Sequence, residues 1–157
     1  HANNANQTLD RVVNFFPDER KAQVMMDLAS NLKAVISQRL VRSLDGKRKA
    51  AIEILLNTPT VAELLSKGQS AAIKPIMDKS RQLGMQTFDQ ALFDLYEAGH
   101  INYEEAIRNA DSTNELRLAI KLRSKRGEPS TASGMALSME EEKEADDERD
   151  EEAKPAA

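Results

Sequence analysis

Apolar residues recur every three or four positions along most of the chain, which is the pattern of amphipathic helices. The first clear element follows the sequence FFPDER. Pro17 suits the first turn of a helix, and Asp18 and Glu19 complement the positive end of its dipole. The apolar face of this predicted helix contains Val24, Met25, Leu28 and Leu32.

The helical pattern is interrupted between residues 34 and 56, where two runs favour β-strands. The run AVISQRLV is rich in β-branched residues, and the run KAAIEILL alternates, with Ile52, Ile54 and Leu56 on one predicted face. An Asp-Gly pair at residues 45–46 lies between the runs, and this dipeptide favours tight hairpin turns. The pattern therefore predicts an antiparallel hairpin.

After residue 57 the helical spacing returns. Thr58, Pro59 and Gly68 fit the cap, the first position and the end of one helix. A second helix is predicted to have Pro75 in its first turn and to end at Gly84. Its apolar side contains Ile73, Ile76, Met77 and Leu83.

Three further helices are each predicted to begin with a capping box, in which the first residue and the residue three positions later bond each other's backbone N–H. The pairs are Thr87 with Gln90, Asn102 with Glu105, and Ser112 with Glu115. Short helices with short connections predict a compact helical bundle. No repeat of fixed period is present.

Charge divides the chain into a basic body and an acidic end. Residues 1–127 contain 19 Lys and Arg against 15 Asp and Glu, a net charge of +4, whereas residues 128–157 contain 3 against 11, a net charge of −8. The end is also rich in small polar residues and cannot bury enough apolar surface to offset the entropy of ordering. We therefore predict that residues 127–157 form a disordered acidic tail.

Composition excludes several kinds of chemistry. The chain has no cysteine, which excludes disulfides and thiolate metal sites, and its two histidines argue against a His-rich metal site. The only Gly-Lys pair, at residues 46–47, has no glycine five positions earlier, so a phosphate-binding loop is missing. His100 is predicted to lie on the surface at a helix end. The basic run at residues 47–49 is short and aromatic residues are few, so nucleic acid is not an expected partner.

Three stretches carry a more specific pattern. They are HANNANQTLDRVVNFFP, then SQRLV followed by the hairpin and EILLNTP, and finally LGMQTFDQALFDLYEAGHINYEEAIRNA. In order and spacing they resemble one family, the hexameric retraction ATPases of type IV pili, which are the twitching-motility motors of the PilT and PilU kind. The match extends from residue 1 to about residue 125. The NNANQ and NTP segments resemble the PilU type more than the PilT type.

The resemblance implies an α/β parent protein with a RecA-like P-loop ATPase fold, of which this chain is a carboxyl-terminal fragment. Residues 1–57 would be the end of the ATPase core including the hairpin, and residues 58–126 a mostly α-helical bundle. Because the chain starts at His1 without a leader pattern, the parent is expected to extend upstream and to contain the Walker motifs. ATP and Mg are expected to bind the parent. This fragment alone is expected to bind no cofactor and to hydrolyse no ATP.

The resemblance also assigns roles to particular residues. His1 would be the last histidine of the family's His box, an auxiliary contact to the terminal phosphate of the nucleotide. The family-signature block comprises Gly84, Met85, Gln86, Thr87 and Asp89. The AIRNL retraction motif of PilT-type members corresponds here to Thr60, Val61, Ala62, Glu63 and Leu64. Because Ala-Glu replaces the central Arg-Asn of that motif, an accessory, PilU-like role is expected. No metal ligands are predicted.

The implied partners are copies of the same chain in a homohexamer, a paralogous retraction ATPase and the pilus inner-membrane platform protein. The implied location is the cytoplasm, peripheral to the inner membrane at the pilus base, without insertion into the membrane. Candidates for contacts between subunits are Lys33, Arg39, Arg42, Arg48 and Lys49, with solvated surface charge as the alternative. A stand-alone helical interaction module without ATPase activity is the alternative function.

Overall fold

Helices surround a two-stranded antiparallel hairpin in residues 2–126, which are the residues that the computed structural model describes. The helices are α1 (Ala5–Asn14), α2 (Asp18–Asn31), α3 (Pro59–Ser66), α4 (Ile73–Lys79), α5 (Phe88–Glu97), α6 (Tyr103–Arg108) and α7 (Thr113–Arg123), and the strands are β1 (Ala34–Arg42) and β2 (Arg48–Leu56). The predicted mostly helical fold with one hairpin is confirmed. The predicted acidic tail lies outside the described residues.

Helix α1 precedes the element that the sequence pattern placed first. Asn4 caps it, because its side chain accepts a hydrogen bond from the backbone N–H of Gln7 at 2.9 Å. Ala5 and Leu9 are buried and Val12 and Val13 are partly buried, so α1 has an apolar stripe at helical spacing that the sequence analysis did not use. The helix predicted at FFPDER is confirmed as α2, which begins at Asp18, but α1 precedes it and was not predicted.

The hairpin is closed by a longer loop than the sequence indicates. The strands pair in antiparallel register from Ala34 opposite Leu56 to Arg42 opposite Arg48, which leaves the five residues 43–47 in the loop. Gly46 has a φ of 78°, in the left-handed region that glycine adopts readily. The Asp-Gly pair therefore marks the turn correctly, but the turn is not a two-residue one.

The buried face of β2 is the opposite of the predicted one. Ala51, Glu53 and Leu55 are 0, 2 and 0% exposed. The predicted face, which comprises Ile52, Ile54 and Leu56, is only partly buried. Apolar residues occupy both faces of β2, so alternation alone could not identify the inner one. The helices that pack on the hairpin determine which face of β2 is buried.

Two hydrophobic clusters share the hairpin. The bundle core comprises Val41, Ala51, Phe88, Ala91, Leu92, Tyr96, Ile101, Ala106, Leu116 and Ile120. The second core comprises Ala5, Leu9, Leu55, Val61, Leu65, Ile73, Met77 and Met85. Strand β2 contributes Ala51 to one and Leu55 to the other, so it links them. The second core joins residues from both sides of the proposed boundary between residues 57 and 58, and that boundary stays a prediction.

Helices α3 and α4 follow the predicted pattern at their starts. Thr58 caps α3, Pro59 occupies its first turn, and Gly68 follows it with a φ of 67°. Helix α4 is shorter than predicted: it ends at Lys79, and a separate turn of 3-10 helix follows it. Leu83 was expected on the apolar side of α4, but it lies in this turn and is 57% exposed. Because α4 ends at Lys79, Leu83 does not share its apolar side.

One of the three predicted capping boxes forms completely. Thr87 and Gln90 bond each other's backbone N–H at the start of α5. Asn102 caps α6, but Glu105 turns its carboxylate to the backbone N–H of Arg42 at 2.8 Å. The side chain of Ser112 makes no capping bond at α7. The starts of these helices were therefore predicted correctly, but the hydrogen bonds of the Glu105 and Ser112 side chains were not.

Candidate functional site: a polar cluster behind the amino-terminal segment

Five charged residues from different elements meet beside the first residues of the chain. We call them the junction cluster; they are Arg39 on β1, Glu53 on β2, Lys74 on α4, Asp89 on α5, and Asp111 between α6 and α7. The side chains of Asp89 and Asp111 are 12 and 10% exposed. Buried charged side chains need opposite charges and hydrogen bonds around them, and the contacts within the cluster provide both.

Arg39 makes the largest number of specific contacts in the cluster. Its Nη2 lies 2.5 Å from Oδ1 of Asp111, and Nη2 also donates to the carbonyl oxygen of Asn3 at 2.8 Å. Nη1 donates to the carbonyl oxygen of Asn109 at 2.8 Å, and the guanidinium lies 4.0 Å from the centre of the Phe88 ring. The Arg39 side chain is 22% exposed, and its candidacy for a contact between subunits stays a prediction.

Glu53 holds the start of α1. Its Oε2 accepts a hydrogen bond from the backbone N–H of Ala5 at 2.6 Å. Burial raises the pKa of Glu53 above its ordinary value of 4.5; the bond from Ala5 opposes this rise, and nearby Asp111 adds to it. Arg39 and Lys74 lower the same pKa to a smaller extent.

Asp89 fixes the connection between α6 and α7. Its Oδ1 accepts from the backbone N–H of Asp111 at 2.7 Å, and its Oδ2 accepts from that of Ser112 at 3.1 Å. The Nζ of Lys74 lies 3.7 Å from Asp89 and 3.5 Å from Asp111. Burial raises the pKa of Asp89, and these donors act in the opposite direction. The network thus joins α4, α5 and the α6–α7 connection.

The family-signature block lies where the helical bundle meets the hairpin. Gly84 has a φ of 92°, and Met85 is buried at 1% exposure. The backbone N–H and carbonyl of Gln86 pair with Ile54 at 3.0 and 2.8 Å. Thr87 caps α5, and Asp89 belongs to the junction cluster. These neighbouring residues thus have structural roles; their role in a motor stays a prediction.

The residues that correspond to the retraction motif lie on α3. Val61 is fully buried in the second core, and Leu64 is partly buried against it. Glu63 is exposed and pairs with Lys67 at 2.5 Å. The remaining two positions are Thr60, which is exposed, and Ala62, which is partly buried. Val61 and Leu64 therefore anchor α3 in the core, whereas Ala62 and Glu63 at the centre of the motif lie nearer the surface.

Several sequence predictions concern groups that could contact a nucleotide or a metal ion. His1, the predicted auxiliary phosphate contact, lies outside them, and His100 is exposed as predicted. Within residues 2–126 no group of three or more His, Asp or Glu is placed to hold a metal ion. Gly46 lies in the hairpin loop and not before a helix, so it cannot cradle phosphates. None of the helices in the same range is long and apolar enough to span a bilayer.

Sequence reasoning missed most of the junction cluster. It named Asp89 as part of the signature block and Arg39 as a candidate for a contact between subunits or a solvated surface charge, but it did not single out Glu53, Lys74 or Asp111. One indication was available for Glu53: an acidic residue in the middle of the apolar run AAIEILL is unusual enough to mark a buried, bonded carboxylate. The pairing of Arg39 with Asp111, 72 positions apart, has no comparable indication.

The raised pKa of Glu53 predicts a defined pH dependence of stability. Below the ordinary value of 4.5 the carboxyl is protonated whether the chain is folded or unfolded. As the pH rises through the higher folded value, the unfolded chain releases its proton first, so the free energy of unfolding falls. Relative to Glu53→Gln, which does not titrate, the wild-type chain should lose stability as the pH rises from about 4.5 towards the raised pKa of folded Glu53.

Chemical denaturation of both chains at several pH values measures this difference. Because the wild-type chain and Glu53→Gln contain the same other carboxylates, comparing them isolates the effect of Glu53. A difference that is constant over this range, or that favours the wild-type chain as the pH rises, would contradict a buried Glu53.

Comparison with known proteins identifies the fold and the family. The crystal structure of the pilus retraction motor PilT with bound ADP superimposes with a TM-score of 0.65 and 30% identity, covering 73% of this chain and 32% of that one. The type IV pilus ATPase PilU of Pseudomonas aeruginosa is 58% identical over 123 residues, which is 78% of this chain and 32% of PilU. The type IV pilus retraction ATPase PilT of the same organism is 39% identical over 110 residues, covering 70 and 32%. No family model matches the chain.

Residues 2–126 therefore have a fold found in pilus ATPases. By sequence, the chain belongs to the PilT/PilU family of type IV pilus ATPases, and it is more similar to PilU than to PilT. The resemblance inferred from the three sequence stretches is confirmed. The chain spans about a third of the length of the relatives it matches.

Proposed function

We propose that this chain is part of an ATP-driven motor for type IV pilus retraction and twitching motility. The observation that carries the proposal is the 58% identity to a type IV pilus ATPase over 123 residues. The similarity to PilT, in sequence and in fold, supports the same function. The higher identity to PilU favours a role like that of PilU.

In this proposal, ATP and Mg bind to a part of the motor other than residues 2–126. Phosphoryl transfer requires a phosphate cradle, a metal ligand and a group that positions water. The residues described here are instead arranged as a packed body, in which the hairpin links two hydrophobic cores. We propose that this body moves as a unit and transmits the state of the nucleotide, with His1 as an auxiliary phosphate contact.

The assembly proposed for this motor is a homohexamer that works with a paralogous retraction ATPase. It would act on the inner-membrane platform protein from the cytoplasmic side. Helix α3 supports the PilU-like assignment, because Val61 and Leu64 keep its apolar face while Ala62 and Glu63 stand where PilT-type members have Arg-Asn. An accessory motor is expected to depend on a second retraction ATPase.

A chimera tests the proposed function. In the chimera, this chain replaces the matched third of P. aeruginosa PilU. Because the identity is 58% over this region, the chimera should hydrolyse ATP at a rate within a few fold of PilU, whereas the 157-residue chain alone should hydrolyse none. The comparison requires that chimera and PilU have the same oligomeric state on a sizing column. A soluble chimera of that size without ATP hydrolysis would contradict the proposal.

The pilus role is tested in the same organism. A P. aeruginosa strain that produces the chimera in place of PilU should twitch as the parent strain does. A strain whose chimera hydrolyses ATP but supports no more movement than a strain without PilU would show that this chain belongs to an ATPase with another task. Such a result would leave the family assignment intact and remove the retraction function.

A further inference from the structure

We propose that the groove between α4, α5 and α7, together with the outward side of α7, is a docking surface for an acidic amphipathic helix of another protein. We call this region the α7 surface; its residues are Pro75, Phe93, Leu116, Leu118, Ala119, Lys121, Leu122 and Arg123. None of them belongs to the family-signature block or to the retraction-motif positions. The docking does not depend on the proposed motor function, and it can be tested on this chain alone.

The groove offers apolar surface from three helices. It has a volume of about 810 Å³, and its apolar lining includes Pro75 of α4, Phe93 of α5, and Leu116 and Ala119 of α7. Leu116 is only 1% exposed and also belongs to the bundle core, so the groove is built on a packed part of the fold. Covering such a lining with apolar side chains of a partner is favourable.

Two exposed leucines extend the apolar surface beyond the groove. Leu118 and Leu122 are 56 and 72% exposed, and because they are four positions apart they lie on the same side of α7. The buried side of the helix carries Leu116 and Ile120. A helix that faces only water on its outer side has polar residues there. Leucines on both sides therefore indicate that a partner covers the outer side of α7.

The cations beside Leu122 have no acidic partner in the body. Lys121 and Arg123 flank this leucine, and within residues 2–126 neither forms an ion pair. The guanidinium of Arg123 lies 5.5 Å from the centre of the Phe93 ring. Both cations complement the dipole of α7 in its last turn, but this interaction does not account for the exposed leucine between them.

The carboxylates that border the groove do not neutralise these two cations. Asp89 accepts two backbone hydrogen bonds from the α6–α7 connection, and Asp78 accepts one from a side-chain amide of α5. Glu115 lies at the start of α7, about 12 Å along the helix axis from Arg123. A partner with carboxylates opposite Lys121 and Arg123 would therefore meet charge that is unpaired within the described body.

A helix fits this combination of features better than other anionic partners. Helix α7 is 11 residues long, which corresponds to about 16 Å, or three turns. A partner helix lying along it can place apolar side chains three and four positions apart against the groove and the exposed leucines. A nucleic acid would bring phosphates against Leu118 and Leu122, and a small molecule in the groove would leave both leucines uncovered.

Titration of the 157-residue chain with a designed peptide tests the proposal. The probe is a capped helical peptide of about 15 residues, with leucines at helical spacing on one side and glutamates on the other. The control peptides are a version with lysine in place of glutamate and a scrambled version without the leucine stripe. In NMR spectra the probe should shift the amide signals of α7 and the groove and saturate below about 1 mM, and both controls should bind at least about tenfold more weakly. No saturable shift, or shifts confined to the hairpin, would overturn the proposal.

Variants of the chain locate the interaction. The double change Leu118→Gln with Leu122→Gln, and separately Arg123→Glu, should each weaken binding of the probe at least about tenfold. Lys47→Glu in the hairpin loop is the matched control, because it makes the same change of charge at an exposed residue outside the α7 surface, and its effect should stay below about threefold. If Arg123→Glu fails to fold by circular dichroism, Lys121→Glu replaces it. Equal weakening by Lys47→Glu and Arg123→Glu would overturn the proposal, since affinity would then follow net charge alone.

Two other occupants of the α7 surface are tested with the same variants. Sedimentation at increasing concentration detects a second copy of the chain, and flotation with phosphatidylglycerol vesicles detects a membrane. Self-association or vesicle binding that the double leucine change abolishes, without binding of the acidic peptide, would overturn the proposal. Binding of the peptide alone would support it. ATP hydrolysis by the chimera is measured separately, so the proposed function can fail without affecting this result.

Discussion

Replacing Arg39 with methionine is expected to lower the free energy of unfolding by about 3 kcal/mol, which is large for a single side chain. The substitution leaves the carboxylate of Asp111 in a largely buried place without its closest positive partner. It also removes the donor from the carbonyl oxygens of Asn3 and Asn109. We place the effect at the lower end of the range for buried ion pairs, because 22% of the Arg39 side chain is exposed and Lys74 lies near Asp111.

Urea unfolding followed by circular dichroism measures this change. Arg48→Met on the exposed end of β2 is the matched control, and it should change the free energy of unfolding by less than about 0.5 kcal/mol. Adding Asp111→Asn to Arg39→Met should recover part of the loss, since the unpaired charge is then gone. Equal effects of Arg39→Met and Arg48→Met would show that Arg39 is a solvated surface residue.

Leu55→Ala is expected to destabilise the chain by about 2–5 kcal/mol, the range found for large-to-small changes in a close-packed core. Leu55 is fully buried, and it joins the hairpin to the second core. Ile36→Ala is the control, because Ile36 lies on the opposite face of the same hairpin and is 69% exposed. Its effect should stay below about 1 kcal/mol.

Thermal or urea unfolding of the two variants decides which face of the hairpin is internal. The sequence alone favoured the face with Ile52, Ile54 and Leu56. A larger loss in Ile36→Ala than in Leu55→Ala would restore that assignment. It would also contradict the burial of Glu53, which lies on the same face as Leu55.

Features that depend on a few neighbouring residues were predicted from the sequence. The hairpin follows from two β-rich runs separated by Asp-Gly, and the start of α3 follows from Thr58 and Pro59. The capping box of α5 needs only Thr87 and Gln90, three positions apart. Order and spacing of three such stretches were also enough to recognise the family. Each of these inferences depends on residues that are close together in the sequence.

Features that depend on distant parts of the chain were not predicted. The inner face of β2 is chosen by helices that precede and follow it in sequence, and its own residues are apolar on both sides. The partners of Arg39 lie near residues 3 and 111, at opposite ends of the body. Helix α1 is held in place by the bond from the N–H of Ala5 to Glu53, 48 positions away, which no local pattern reveals. The junction cluster therefore became visible only in three dimensions.

We propose that this chain is part of a longer pilus ATPase, and reading the DNA upstream of the His1 codon tests this claim most directly. The claim predicts an open frame that continues to match PilU of P. aeruginosa over the rest of its length and that contains Gly-x-x-x-x-Gly-Lys-Ser or Gly-x-x-x-x-Gly-Lys-Thr. A ribosome-binding site and a start codon at His1 would contradict it, and they would favour a stand-alone helical interaction module.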